Sequence, residues 1–109
     1  MTWGHLMSLF FAGAFLTNAL PHLVSGVMGR PFQSPFAKPP GQGLSSATIN
    51  VLWGFFNLAI GYMLACRTTT FDIVGTADVI AFGFGAVLVA LLCARLFGRF
   101  NGGNAPTAL

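Results

Sequence analysis

Apolar residues fill three blocks of the chain, and two stretches rich in proline, glycine and threonine separate them. The blocks run from about residue 3 to 28, from 47 to 66 and from 77 to 99. A hydrocarbon core about 30 Å thick needs roughly 20 helical residues, so each block is long enough to cross a membrane. None alternates strictly between apolar and polar residues, as a barrel strand must. The pattern predicts an all-α integral membrane protein, a single domain with three transmembrane helices.

Local signals refine these boundaries. Pro21 lacks a backbone N–H and predicts a kink in the first helix. Four prolines between residues 29 and 46 predict a stiff, extended loop. Ser45 or Ser46 can cap the second helix and Thr76 the third. The polar residues 101–109 indicate a short, frayed tail.

The composition narrows the class of protein further. Only 6% of the residues are charged and 55% are hydrophobic, and the mean hydropathy is +0.77. Roughly a quarter of the residues in an ordinary soluble domain are charged. A soluble enzyme, a disordered tail and a disulfide-stapled secreted module are therefore excluded. The five basic residues are scattered singly, which argues against a nucleic-acid partner and for a lipid bilayer.

The positions of the basic residues predict an orientation. With three spans, the first loop and the C-terminal tail share one side of the membrane. That side carries four basic residues and the other side one: Arg30, Lys38, Arg95 and Arg99 against Arg67. Basic residues prefer the cytoplasmic side. We therefore expect a multi-pass protein of the cell inner or plasma membrane. Its N-terminus lies outside, and its C-terminus and loop 29–46 lie in the cytoplasm.

Polar residues inside the apolar blocks form the first candidate site. Helical spacing places three of them on one face of the first helix and two, beside a tryptophan, on one face of the second. The candidates are Asn18, His22, Ser25, Asn50, Trp53 and Asn57. Ala90 and Ala94 of the third helix are expected at the same depth. Two interpretations stay open: the residues hold the helices together by hydrogen bonds, or they form a binding or conduction site in which His22 titrates.

The first loop supplies the second candidate site, a contact surface made by Arg30, Phe32, Phe36 and Lys38. Two phenylalanines are costly in water, so we expect the loop to lie on the membrane surface or over the polar cluster. A lid or partner-docking segment and a rigid strap between two helices are both compatible with this pattern.

Catalytic and metal sites are not predicted, because hydrolytic and metal chemistry need convergent acids, histidines or cysteines. Asp72, Asp78 and His5 belong to the end of the helices opposite His22. No resident cofactor is predicted either.

These observations favour a small non-catalytic membrane protein that acts through helix packing and its Pro-Phe loop, as a homo-oligomer or as an accessory subunit of a larger membrane complex. One alternative is an oligomeric transporter or channel for ions or small solutes, built around His22 and the asparagines. A more remote alternative is a haem- or quinone-binding electron-transfer subunit.

Overall fold

The computed structural model describes residues 2–104; the last five residues of the predicted tail lie outside this part. Three long helices dominate it: α1 (Trp3–Val27), α2 (Ala47–Tyr62) and α3 (Thr76–Asn101). A π-helical turn, Met63–Arg67, extends α2. All three helices are long and apolar enough to cross a membrane, so the predicted helical class is confirmed at that level. Helix α1 runs unbroken past Pro21, and a kink there stays a prediction.

Two of the helices begin at side-chain caps. The hydroxyl oxygen of Thr2 accepts a hydrogen bond from the backbone N–H of His5 at 3.0 Å, and that of Ser46 accepts from Ile49 at 3.2 Å. Ser46 is thus the cap of α2. The prediction that Thr76 caps α3 was wrong: Gly75 holds the N-cap position without a side-chain bond, and Thr76 is already helical.

Helix α1 lies in the middle and packs against both α2 and α3, whereas α2 and α3 share only marginal contact within residues 2–104. Leu9, Ala12 and Ala65 form the apolar core, with Phe71 and Phe82 among the residues packed against it. The fold is therefore an open layer of three helices with large apolar outer faces.

Helices α1 and α3 approach closely at two glycines. A β-carbon on Gly13 would overlap the carbonyl oxygen of Phe82, and one on Gly85 would overlap that of Phe10. Any larger residue at either position would push the two backbones apart. Glycine is therefore required here by the space between the helices.

The first loop contains a feature that the all-α prediction missed. Strand β1 (Phe32–Gln33) pairs antiparallel with β2 (Leu44–Ser45), with Phe32 opposite Ser45. This short ladder turns residues 29–46 into a closed hairpin-like structure. We call the end of the helices that carries this hairpin-like structure the loop end. We call the opposite end, where Thr69 lies, the Thr69 end.

Candidate functional site

A histidine and an asparagine join α1 to α2 at the loop end. The Nδ1 atom of His22 lies 2.7 Å from the Oδ1 atom of Asn50, and both residues are almost completely buried. They meet because α1 runs towards the loop and α2 runs away from it. Residues a similar number of turns from the loop therefore lie at the same level. This contact belongs to the candidate polar cluster.

The side chain of Asn50 also holds the loop. Its Nδ2 group lies within hydrogen-bond distance of three backbone carbonyl oxygens, those of Phe32 at 3.1 Å, Ser45 at 3.2 Å and Ser46 at 3.0 Å. One side chain thus links α1, both strands of the loop and the start of α2. Without it, the carbonyl oxygens of Phe32 and Ser45 would lose this donor, whereas that of Ser46 would keep the backbone N–H of Asn50. Leaving a partly buried carbonyl oxygen without a donor is costly.

Aromatic rings surround the imidazole of His22. The rings of Phe32, Trp53 and Phe97 meet it edge to face, with centroids at 5.6, 6.4 and 5.8 Å. Phe32 and Phe97 also contact each other, with centroids 4.8 Å apart. The loop, α2 and α3 therefore each supply one aromatic ring to the same pocket around His22.

A second polar pair lies deeper between the helices. The Nδ2 group of Asn18 donates to the Oδ1 atom of Asn57 at 3.0 Å, and Asn57 donates in turn to the carbonyl oxygen of Trp53 at 2.8 Å. The thiol of Cys93 lies 3.8 Å from the Oδ1 atom of Asn18. Helix α3 therefore reaches the polar cluster through Cys93 and Phe97. Ala90 and Ala94, which the sequence placed there, are instead exposed.

The remaining candidate residues take different positions. Ser25 is half-buried, and its backbone carbonyl oxygen accepts from the N–H of Arg30 at 2.8 Å. Phe36 leans edge-on against Trp53 with centroids 5.1 Å apart but stays 62% exposed. Arg30 and Lys38 are exposed, and neither forms an ion pair within residues 2–104. The loop thus contacts the cluster through its phenylalanines and directs its charges outwards.

A cavity opens beside His22 where the loop meets the three helices. Its volume is about 330 Å³, and its lining includes Asn18, His22, Ser34, Pro35, Trp53 and Phe97. The indole N–H of Trp53 is buried and, alone among the buried side-chain polar groups of residues 2–104, has no hydrogen-bond partner.

A separate polar cluster at the Thr69 end was missed by the sequence reasoning. The Nε2 atom of His5 lies 2.6 Å from a carboxylate oxygen of Asp78, and its Nδ1 atom lies 2.6 Å from the hydroxyl of Thr69. The other carboxylate oxygen of Asp78 accepts from the backbone N–H of Asp72 at 2.9 Å. The sequence did contain a signal for this cluster. Helices α1 and α3 both begin at this end, which places His5 and Asp78 at the same depth.

Neither cluster has the ligands of a metal site. Within the described residues, no group of three or more histidine, cysteine or acidic side chains lies close enough together to hold a metal ion. Cys66 and Cys93 are free thiols. The loop-end site can therefore offer hydrogen bonds and aromatic surfaces, while the Thr69-end cluster ties α1 to α3 and to the connection between α2 and α3.

No family model, no curated protein and no solved structure matches this chain.

Proposed function

We propose that this chain is a non-catalytic integral membrane subunit that works in an assembly, most simply a homo-oligomer formed through α3. In this proposal the three helices span the bilayer with the loop end in the cytoplasm. The exposed apolar side chains of all three helices support the embedding: Phe84 and Leu91 on α3, for example, are each 64% exposed. Water would disfavour such surfaces, whereas lipid tails or another helix would cover them.

The observation that carries the assembly is the open face of α3. This helix packs on α1 through Gly85 and its neighbours, which leaves Gly83, Ala90 and Ala94 on another face. A β-carbon on Gly83 would meet nothing within 4 Å. Small residues let two membrane helices approach closely, so that face suits a second copy of α3.

The loop supplies a second surface for contact with another protein. Asn50 bonds both strands of the loop, which lowers the ordering cost when a partner binds. Phe36 and Leu44 are 62% and 61% exposed on it, and Arg30 and Lys38 are exposed beside them. An accessory role within a larger complex would use this surface.

The alternatives have less support. A transporter would need polar groups along a path, but the residues between the two polar clusters include the buried Leu9 and Ala12. A single chain cannot hold a haem between its own two histidines, because His5 and His22 are about 25 Å apart along α1 at 1.5 Å per residue.

Cysteine cross-linking in proteoliposomes tests the assembly. In a chain whose native cysteines are replaced by alanine, A90C places a thiol on the open face of α3. L88C places one at a similar depth on a different, 42% exposed flank of the same helix. We expect oxidation to produce a disulfide-linked dimer with A90C and little with L88C. Equal cross-linking of both variants, or cross-linking of L88C alone, would overturn the α3 interface. A monomer with neither variant cross-linked would overturn the oligomer itself.

A further inference from the structure

We infer that a pocket at the C-terminal end of α3 binds the phosphate group of an anionic phospholipid. We call it the arginine pocket. Its volume is about 410 Å³, and it is lined by Arg95, Gly98, Arg99, Gly102 and Asn104. This inference rests on the bilayer embedding proposed above and does not depend on the α3 interface.

The arginine pocket is built from one face of α3 and from the chain that folds back onto that face. Helical spacing places Arg95, Gly98 and Arg99 on the same face. Gly102 ends the helix in the left-handed conformation, with a φ of +82°. The chain then returns over the helix, because a β-carbon on Gly98 would lie only 3.2 Å from the Cα atom of Gly103. The returning backbone is therefore one wall of the pocket, and the helix face with its two arginines is the other.

The two guanidinium groups of the pocket have no counter-charge at this end of the molecule. The chain has only two acidic side chains, those of Asp72 and Asp78, and both belong to the Thr69 end. Both arginines are exposed, and neither forms an ion pair within residues 2–104. Like charges four residues apart on a helix repel each other, and an anion bound between them removes this repulsion.

The geometry of one arginine leaves its hydrogen-bond donors available to a phosphate. The guanidinium carbon of Arg99 lies 5.6 Å from the ring centroid of Phe100. Such a contact uses the flat face of the guanidinium group and leaves the N–H donors in its plane free. These donors match pairs of phosphate oxygens, which arginine binds through two parallel hydrogen bonds.

The depth of the pocket favours a lipid over a soluble anion. At 1.5 Å per residue, Arg95 and Arg99 lie about 29 and 35 Å along α3 from Thr76. In a hydrocarbon core about 30 Å thick that begins at Thr76, the pair lies where acyl chains meet head groups. Leu91 is one turn before Arg95 and is 64% exposed, so it offers an apolar surface to the acyl chains. The cytoplasmic leaflet, where we place this end, carries the anionic lipids.

Native mass spectrometry of the protein released from detergent micelles tests the site with two lipids that have identical acyl chains. Phosphatidylglycerol and phosphatidylcholine both carry a phosphate, but only phosphatidylglycerol has a net negative charge. We expect the first phosphatidylglycerol molecule to bind at least about fivefold more tightly than the first phosphatidylcholine molecule. Equal affinities would overturn the site.

Matched charge substitutions locate the lipid. Arg95→Gln and Arg99→Gln each remove one charge from the pocket, and Arg67→Gln removes one from the last turn of the α2 extension at the Thr69 end. We expect R95Q and R99Q each to weaken the affinity for phosphatidylglycerol about fivefold, the effect of one basic residue near an anionic surface. R67Q should leave it unchanged. The same loss in all three variants, or no loss in R95Q and R99Q, would overturn the assignment to the pocket.

The variant Gly98→Val tests whether the shape of the pocket contributes as well as its charge. The larger side chain would push Gly103 away and occupy the pocket, while every charge stays in place. We expect the preference for phosphatidylglycerol over phosphatidylcholine to be lost. An unchanged preference in folded G98V would overturn the pocket, and the arginine variants remain decisive if G98V does not fold.

Competition with the water-soluble head group, glycerophosphoglycerol, separates a lipid site from a site for a free phosphate compound. We expect an equimolar amount to displace no phosphatidylglycerol, because the acyl chains add contacts that the free head group lacks. Displacement would overturn the lipid as the ligand. None of these results bears on the bilayer embedding itself, which would fail if the chain stayed monodisperse in buffer without detergent.

Discussion

The Nδ1 atom of His22 on α1 lies 2.7 Å from the Oδ1 atom of Asn50 on α2, and the amide nitrogen of the same asparagine reaches carbonyl oxygens of the loop. One side chain therefore couples the packing of two helices to the conformation of the loop. Loss of this asparagine should affect both, whereas loss of a buried asparagine elsewhere should affect only the packing.

Replacing Asn50 with alanine should loosen the loop and destabilise the protein. We expect the free energy of unfolding to fall by about 2–3 kcal/mol, since a buried imidazole N–H and several carbonyl oxygens lose their partners. Limited chymotrypsin digestion in detergent should then cleave after Phe32, which is half-buried in β1, faster than in the wild type.

Asn57→Ala is the matched control for this experiment. Asn57 is equally buried but bonds Asn18 and the carbonyl oxygen of Trp53 instead of the loop. We expect it to lower stability by about 1 kcal/mol without new cleavage in the loop. Equal loop cleavage in both variants would show that general destabilisation, and not the loss of the Asn50 bonds, exposes the loop.

Substitution of Gly85 and of Gly83, two residues apart on α3, should change the stability of the protein differently. A side chain on Gly85 would collide with the backbone of α1 at Phe10, so Gly85→Val should lower the free energy of unfolding by about 1–3 kcal/mol. Within a single chain, Gly83→Ala meets open space, so in a detergent that keeps the protein monomeric it should be neutral, or stabilising by up to about 1 kcal/mol because alanine favours a helix. Thermal unfolding of both variants in one detergent measures the difference, and a larger loss for Gly83→Ala would contradict the rotation of α3.

The contact between His5 and Asp78 should appear as coupling in a double-mutant cycle. Their side chains are 20% and 8% exposed, and the pair is part of a network with Thr69 and Asp72. We expect H5A and D78A each to lower the melting temperature, and the double variant to lower it by less than the sum. Strict additivity would show that the two side chains do not interact.

Much of the fold was accessible from the sequence, because apolar block length alone fixes helices in lipid. The common depth of His22 and Asn50 was accessible too, since both are counted from the same loop. The rotation of α3 about its own axis could not be predicted from the sequence. This helix is apolar nearly all round, so its composition did not distinguish the face of Gly85 and Cys93 from that of Ala90 and Ala94.

The role of Asn50 in the loop also lay beyond sequence reasoning. Its partners at Phe32, Ser45 and Ser46 are backbone atoms, and no side-chain pattern marks a backbone carbonyl as an acceptor. The β1–β2 pairing, only two residues a side, is likewise too short to leave an alternating pattern.

Accessibility of single thiols at the two ends of α2 tests most directly whether this helix crosses the membrane. One chain keeps Cys66 with Cys93 replaced by alanine, and a second carries K38C with both native cysteines replaced. We expect a membrane-impermeant maleimide to label Cys66 in intact cells and to label K38C only after permeabilisation. Labelling of both thiols from the same side would contradict a membrane-spanning α2, and the reverse order would contradict a cytoplasmic loop.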